Sequence, residues 1–196
     1  AFAENPKICR YVDLPLQHAA NDVLKRMGRG PVEMVQRQLI ENLRDAMPDI
    51  ALRSTFIVGY PGETQADFEK LLAFLAEIQF DHVGIFPYSQ EEGTPAAALP
   101  DQIPEDIKLK RYEQAMALQK EISRSKNSSR IGETYEVVID GPSEETDLVL
   151  VARSQYQAPD VDGNIYIGNR HLPAGTFAKV RIKEAYDYDL VGEIVE

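Results

Sequence analysis

The chain is poor in cysteine, in tryptophan and in positive charge. Its 196 residues include one cysteine, no tryptophan and 21 basic residues against 32 acidic ones, a formal charge of −11. A lone cysteine can neither form an internal disulfide nor complete a zinc site, so nothing indicates an oxidising compartment, and a cytoplasmic location is expected. The acidic excess disfavours nucleic acid as a partner and favours a basic protein surface, although such a balance more often serves solubility alone.

Long hydrophobic runs are also missing. No segment approaches the roughly 20 apolar residues that a membrane-spanning helix needs, and the N-terminal residues lack the basic-then-apolar order of a signal peptide. We therefore expect a soluble protein without a membrane partner. His18, His82 and His171 show no metal-ligand spacing with one another or with Cys9, so no metal site is predicted.

Strand and helix patterns alternate through residues 1–126. Segments 8–14, 51–58 and 82–86 are predicted strands, and helices are predicted between them and at about 105–125. This order is typical of an α/β fold. A closed (β/α) barrel takes roughly 200–250 residues, so three strands with their crossovers resemble half of one.

Two helices can be oriented from their apolar spacing. In the helix that ends at Pro48, three- and four-residue spacing predicts one buried face. The segment from Thr64 to Asp67 is typical of a helix cap, and the helix after it shows a second apolar face. The predicted faces are Val32, Val35, Leu39 and Leu43 in the first helix, and Phe68, Leu71, Leu72, Leu75 and Ile78 in the second.

The composition changes near residue 127, which predicts a second domain at 127–196. Short alternating segments follow one another with turn residues between them and no helical period. They lie at about 133–140, 147–154, 163–167, 175–184 and 189–195. Five short strands in so few residues indicate a small all-β barrel of the oligonucleotide-binding (OB) type.

Candidate binding residues stand where the predicted strands end, except Arg53, which lies early in the predicted strand 51–58. Gly59 and Gly62 allow a close backbone approach before a helix N-terminus, although the same residues also make an ordinary turn. Gln17 could bind a ribose or a carboxylate, or cap the next helix. Arg53 needs a partner, which could be a ligand or a structural ion pair. Phe86 could stack on a base, although core packing is the simpler interpretation.

These segments together resemble the methylthiotransferases of the radical S-adenosylmethionine superfamily. The resemblance is carried by the residues from Tyr11 to His18, by 23–29, by the run from Arg53 to Thr64, and by Tyr88-Ser89 with Gly93-Thr94. The C-terminal part resembles the TRAM domain that ends these enzymes. The resemblance implies the C-terminal half of a radical S-adenosylmethionine (β/α) barrel followed by a TRAM barrel.

Within that family, the sequence Gln17-His18-Ala19-Ala20 resembles the branch that modifies a ribosomal protein. The resemblance implies transfer of a methylthio group to the β-carbon of an aspartate in ribosomal protein S12. S-adenosylmethionine would donate the methyl group and also form the 5′-deoxyadenosyl radical. By the resemblance, the residues that bind S-adenosylmethionine are Gln17, Arg53, Val58, Gly59, Glu63, Phe86 and Tyr88.

The cysteines of the family are missing from this chain. The resemblance implies two 4Fe-4S clusters, each held by three cysteines, and an external electron donor, whereas this chain has only Cys9. We therefore expect the clusters to be bound outside this chain, no catalytic residue within it, and no activity from it alone.

Charge supports the choice of branch. Residues 128–196 hold six basic and thirteen acidic residues, a net charge of −7. A barrel that grips tRNA should be basic, whereas an acidic barrel suits a basic ribosomal protein. Two alternatives stay open: a tRNA methylthiotransferase, and a non-catalytic acidic module that binds a basic protein.

Overall fold

The computed structural model describes residues 2–30, 33–168 and 171–195. It divides the chain into two compact units, residues 12–119 and residues 1–11 with 120–196. The first unit is α/β and the second contains a closed β-barrel, which confirms the predicted fold class. Within the described ranges, no helix is both long enough and apolar enough to cross a membrane.

The α/β unit is built on a three-stranded sheet in the order β1-β2-β3. Its strands are β1 (Tyr11–Gln17), β2 (Ala51–Val58) and β3 (His82–Pro87). Its helices are α1 (Asn21–Arg26), α2 (Glu33–Ala46) and α3 (Gln65–Ile78); a 3₁₀ turn at Pro95–Ala98 precedes the long α4 (Glu105–Ser129). Strands β2 and β3 pair in parallel, so a helical crossover joins them.

The first strand lies three residues further along the chain than predicted. It was expected at 8–14 with Pro15 as its end, but it begins at Tyr11 and continues through Pro15 to Gln17. Strand β1 is at the edge of the sheet, where proline is tolerated because its missing N–H need not face a neighbouring strand. The Leu14 carbonyl and the Leu16 N–H both meet Ser54 of β2, which turns the main chain of Pro15 away from β2.

Helix α2 buries a different face from the predicted one. Val35 and Leu39 are exposed, whereas Gln36 and Ile40 are buried and Leu43 is partly buried. Two rows of residues at helical spacing run along this helix, one position apart. Spacing alone favours the more apolar row, which is the predicted one. The buried row includes Gln36 because its amide donates hydrogen bonds to main-chain carbonyls beneath the helix. Val32, the fourth residue of the predicted face, lies outside the described residues.

Helix α3 follows its sequence pattern closely. The Thr64 hydroxyl accepts a hydrogen bond from the Asp67 N–H, and the Asp67 carboxylate accepts one from the Thr64 N–H, which forms a capping box. Four residues of the predicted face are buried, namely Phe68, Leu71, Leu75 and Ile78, and the fifth, Leu72, is partly buried. Beside them Phe56, Phe74 and Phe80 pack edge to face or tilted, with ring centroids 6.3, 5.7 and 5.9 Å apart.

The second unit closes its five strands into a barrel in the order β4-β5-β6-β8-β7. These are β4 (Thr134–Pro142), β5 (Val149–Ser154), β6 (Ile165–Gly168), β7 (Phe177–Ala185) and β8 (Leu190–Ile194), and each overlaps a predicted strand. Within the barrel, β6 and β8 pair in parallel, and the other described pairs are antiparallel. Alternate residues point inward and form one apolar core.

Candidate functional site

The ends of the strands of the α/β unit lie at one edge of the sheet. Val58, at the end of β2, is in register with Pro87, at the end of β3. Ser54 contacts Leu14 and Leu16, and the residue after the end of β1, His18, lies beside Glu63, so β1 runs in the same direction as β2. In α/β folds this edge is where ligands bind.

One face of the sheet stays partly open. Strand side chains alternate between faces, and the apolar residues of one face pack into the helix-covered core. The other face, called here the open face, carries Asp13, Gln17, Arg53, Thr55, Gly84 and Phe86, none of which is fully buried. Three predicted site residues, Gln17, Arg53 and Phe86, therefore share one surface.

Gln17 is in a rare backbone conformation. Its φ angle is 72°, and the His18 N–H donates to the Leu16 carbonyl at 2.9 Å, which closes a three-residue γ-turn. The buried amide of Gln36 holds this turn by donating to the carbonyls of Leu16 and His18, at 3.3 and 3.4 Å. A strained turn that neighbouring groups fix in place is typical of a functional site. Residues 16–18 are called the Gln17 turn below.

Gly59 begins a second turn, residues 59–63, called the Gly59 turn. Its φ angle is 73°, a region that side chains disfavour. A Cβ atom on Gly59 would also lie 2.4 Å from the Cγ atom of Lys108, so the turn has no room for one. The Glu63 carboxylate accepts hydrogen bonds from the N–H groups of Gly59 and Tyr60, at 2.6 and 3.1 Å, which closes the turn.

Glu63 is a buried carboxyl with one guanidinium partner. Arg111 of α4 donates to its Oε1 atom at 3.1 Å and to its main-chain carbonyl at 3.2 Å. The imidazole Nε2 of His18 is 3.8 Å from Glu63 Oε2. Burial raises the pKa of Glu63 to about 7, an effect that Arg111 and the two turn N–H groups oppose. The Glu63 side chain therefore supports the turn from beneath and does not reach the open face.

His18 is held as a neutral imidazole. Its Nδ1 atom accepts a hydrogen bond from the Ala20 N–H at 2.9 Å, which leaves the ring proton on Nε2, facing Glu63. Burial lowers the pKa of His18 to about 4.

Arg53 already has a partner. Its Nη1 atom is 2.7 Å from Asp13 Oδ2, and the arginine side chain is 16% exposed. The pair lies on the open face, five residues before Val58 and four before Gln17. Arg53 is thus on the same face of the sheet as Gln17 and Phe86, but it lies further from the ends of the strands than they do.

The aromatic candidates differ in exposure. Phe86 is 55% exposed, and its ring lies close over Gly84 on the open face. Tyr88 is 9% exposed and packs edge to face against Tyr60 at 5.2 Å, with Lys108 Nζ 5.3 Å from its ring centre. Within the described residues the Tyr88 hydroxyl has no hydrogen-bond partner.

Val58 is fully buried in the core, so its side chain cannot contact a ligand. Its carbonyl oxygen accepts a hydrogen bond from the Tyr88 N–H at 2.8 Å. Val58 thus anchors the start of the Gly59 turn to the segment after β3.

Sequence reasoning did not assign three buried polar residues that hold the two turns: Gln36, Lys108 and Arg111. A polar residue in an apolar helical stripe could have indicated Gln36. Lys108 and Arg111 are one helical turn apart on α4, but the residues of the Gly59 turn that they contact lie 48 or 49 positions earlier in the chain, where no local pattern reaches.

One side of the barrel is rich in carboxylates. A groove beside β4, β5, β6 and β8 contains five carboxylates, those of Asp140, Glu144, Glu145, Asp160 and Asp162, and this set is called the acidic groove. One of them, Asp140, is paired with Arg153 at 3.4 Å. Its floor includes a row of neighbouring outward residues, Val151, Tyr166 and Val191.

Three of the six basic residues counted in this part of the chain, Lys179, Arg181 and Lys183, line the outer side of β7. In register, Lys179 is opposite Glu136 and Arg181 is opposite Glu193, and Lys183 forms an ion pair with Glu193 at 2.9 Å. Neighbouring carboxylates therefore offset this basic row.

Comparisons with known proteins cover both units. The family described as the radical SAM superfamily matches residues 1–75, and the TRAM domain family matches residues 131–195. Proteins named ribosomal protein uS12 methylthiotransferase RimO are similar along nearly the whole chain. Those of Desulforamulus reducens and Roseiflexus sp. are 50% and 52% identical over all of this chain, and that of Geobacter sulfurreducens is 48% identical over 97% of it. The chain spans 44%, 42% and 42% of these three relatives, less than half of each.

Proposed function

We propose a function for this chain from the premise that it belongs to the radical S-adenosylmethionine methylthiotransferase family. In this proposal the open face and the two turns of the α/β unit bind S-adenosylmethionine. The observation that carries it is the placement of Gln17, Gly59 and Phe86 at one edge of one sheet, although 69 positions of sequence separate the first from the last.

The residues present fit a nucleoside ligand. Phe86 offers an exposed ring for the adenine, Gln17 offers an amide in a preformed turn for the ribose, and Gly59 lets the backbone approach. The buried hydroxyl of Tyr88, without a partner in the described residues, is available to a polar ligand atom. Arg53 would balance a carboxylate at the lower end of the open face. Val58 and Glu63 act by shaping the turn.

The chain does not fit an iron-sulfur cluster. Each cluster needs several thiolates, and the single cysteine, Cys9, is exposed. No group of three or more potential metal ligands occurs in the part of the chain that the structure describes. In this proposal the clusters and the electron donor come from outside this chain, and we expect the chain alone to be inactive.

With those parts supplied, the proposed reaction is methylthio transfer to the β-carbon of an aspartate of ribosomal protein S12, in the cytoplasm. S-adenosylmethionine, when bound, would supply the methyl group and the radical chemistry. The residues of this chain would orient it: Gln17 and Arg53 at its ribose and methionine parts, and Phe86 at its adenine.

The acidic groove is the proposed docking surface for the basic substrate. Its carboxylates, of which Asp140 is already paired with Arg153, attract cationic side chains, and its floor of Val151, Tyr166 and Val191 offers apolar contact. A tRNA substrate is the competing possibility, which the basic row on β7 would serve. We favour the protein substrate because Glu136 and Glu193 neighbour that row.

Two measurements test the proposal. Calorimetric titration of the chain with S-adenosylmethionine should show binding, and Phe86→Ala should weaken it. The cluster-containing protein, given a reductant, S-adenosylmethionine, ribosomal protein S12 and tRNA together, should modify an aspartate of the protein, which mass spectrometry detects. Modification of the tRNA would keep the cofactor assignment and overturn the assignment of the substrate and of the acidic groove.

A further inference from the structure

The Gln17 turn and the Gly59 turn are joined by buried polar groups. His18 contacts both turns. Its N–H closes the Gln17 turn, and its imidazole faces the carboxylate of Glu63, which closes the Gly59 turn. The side chains of His18 and Glu63 have no exposed surface, so the two turns meet in the interior. The 3.8 Å between His18 Nε2 and Glu63 Oε2 is longer than a hydrogen bond, so this contact is one of packing and electrostatics.

Arg111 is the residue of α4 that contacts Glu63. Its guanidinium is 7% exposed, donates to both the carboxylate and the carbonyl of Glu63, and lies 5.6 Å from the ring centre of Phe68. Its Nε atom has no partner in the described residues. A buried cation is costly without a counter-charge, so Arg111 and Glu63 depend on each other.

We propose that Arg111 is a positioning residue for the candidate site: by pairing with Glu63 it fixes the Gly59 turn, and through His18 it couples that turn to the Gln17 turn. The inference rests on the proposed function only for what the turns bind. Arg111 itself touches no ligand in this proposal.

The charged groups around Glu63 decide how this coupling responds to pH. His18 faces it from the β1 side, Arg111 from α4, and Asp67 from α3, while Arg26 and Lys70 lie near Asp67. At neutral pH the carboxylate of Glu63 is within about one unit of its pKa. Protonation weakens its charge-assisted bonds to the turn, and loss of Arg111 favours the protonated form.

A ligand-free measurement tests the geometry. Amide NMR shifts of Gly59 and Tyr60 in the full chain should titrate near neutral pH, because both N–H groups donate to Glu63. In Arg111→Met the midpoint should rise by about one to three pH units, and in Arg111→Lys it should lie between the two. Arg124→Met is the matched control, since Arg124 is an exposed cation on the same helix, and its midpoint should equal that of the unmodified chain.

The outcomes separate the two proposals. The positioning role is overturned if Arg111→Met leaves the titration midpoint of the Gly59 amide unchanged. It is also overturned if the amide shifts of Gln17 and His18 do not titrate together with that of Gly59. If Arg111→Met does not fold, Arg111→Lys decides by the same shift, with Glu63→Gln removing the titration. Titration with S-adenosylmethionine then tests the site: binding at least about tenfold weaker in Arg111→Met supports the inference. No binding by the unmodified chain ends the cofactor assignment and leaves the coupling of the turns standing.

Discussion

The imidazole of His18 lies 3.8 Å from the carboxylate of Glu63, and neither side chain has exposed surface. Burial shifts both groups toward their neutral forms: it lowers the pKa of His18 to about 4 and raises that of Glu63 to about 7. Both groups thus respond to pH in the folded protein differently from the unfolded chain.

These two shifts have opposite effects on stability. Between pH 4 and 6.5 the unfolded chain binds a proton at His18 that the folded chain does not, so this residue makes stability rise with pH. Between pH 4.5 and 7 the folded chain keeps a proton on Glu63 that the unfolded chain loses, so this residue makes stability fall with pH. Each contribution is about 3 kcal/mol, so the two largely cancel.

Glu63→Gln should therefore expose the contribution of His18. We expect the free energy of unfolding of this variant to rise more steeply between pH 4.5 and 6.5 than that of the unmodified chain, as measured by urea unfolding. His18→Phe should show the reverse slope. Identical slopes in Glu63→Gln and the unmodified chain would contradict the pKa shift of Glu63.

Gly59→Ala should destabilise the α/β unit by about 2 kcal/mol or more. A side chain at φ 73° costs about 1 kcal/mol, and its Cβ atom would clash with Lys108. Gly93→Ala is the control, because Gly93 has a φ of 82° and no atom near its missing Cβ. Urea unfolding of both variants separates the clash from the strain; equal losses would mean that Lys108 moves freely aside.

Phe86→Ala should separate binding from stability. Because Phe86 is 55% exposed, its truncation should change the free energy of unfolding by about 0.5 kcal/mol or less. Affinity for S-adenosylmethionine, measured by calorimetry, should fall. Phe56→Ala, at a fully buried ring, should instead cost about 3–5 kcal/mol. Unchanged affinity in Phe86→Ala would remove this ring from the site.

Arg53→Met should weaken binding of S-adenosylmethionine with little loss of stability. Its ion pair with Asp13 is half exposed on the carboxylate side, so we expect at most about 1 kcal/mol from the pair. Asp13→Asn breaks the same pair but keeps the cation. Calorimetry should therefore show weaker binding only for Arg53→Met; equal effects would assign Arg53 a structural role.

Much of the fold follows from local patterns. Alternation predicted all five barrel strands, and the spacing from Phe68 to Ile78 predicted the buried face of α3. Prediction failed where a distant group decides the outcome. Pro15 continues β1 because that strand is at the sheet edge, and α2 turns Gln36 inward, where its amide donates to two carbonyls of the Gln17 turn. Neither fact is visible within a few residues of the chain.

The residues of the candidate site also differ in whether the local sequence could predict their placement. That Gln17, Gly59 and Phe86 lie at one edge of the sheet could be predicted, because strand ends and glycine turns are local features. Arg111 could not, since its role exists only when α4 meets a turn 48 residues earlier. Val58 and Glu63 belong to the predicted motif, yet their burial, which assigns them a supporting role, depends on the packed core.

Pro15 also limits how copies of this protein can associate. A second copy that laid a strand along the outer side of β1 would find no donor at Pro15, and it would find the Pro15 carbonyl already bonded to the Arg29 guanidinium at 3.3 Å. Two successive hydrogen bonds between the two copies would therefore be lost at the middle of the strand. Pro15 therefore disfavours templated pairing along β1 wherever that edge is open.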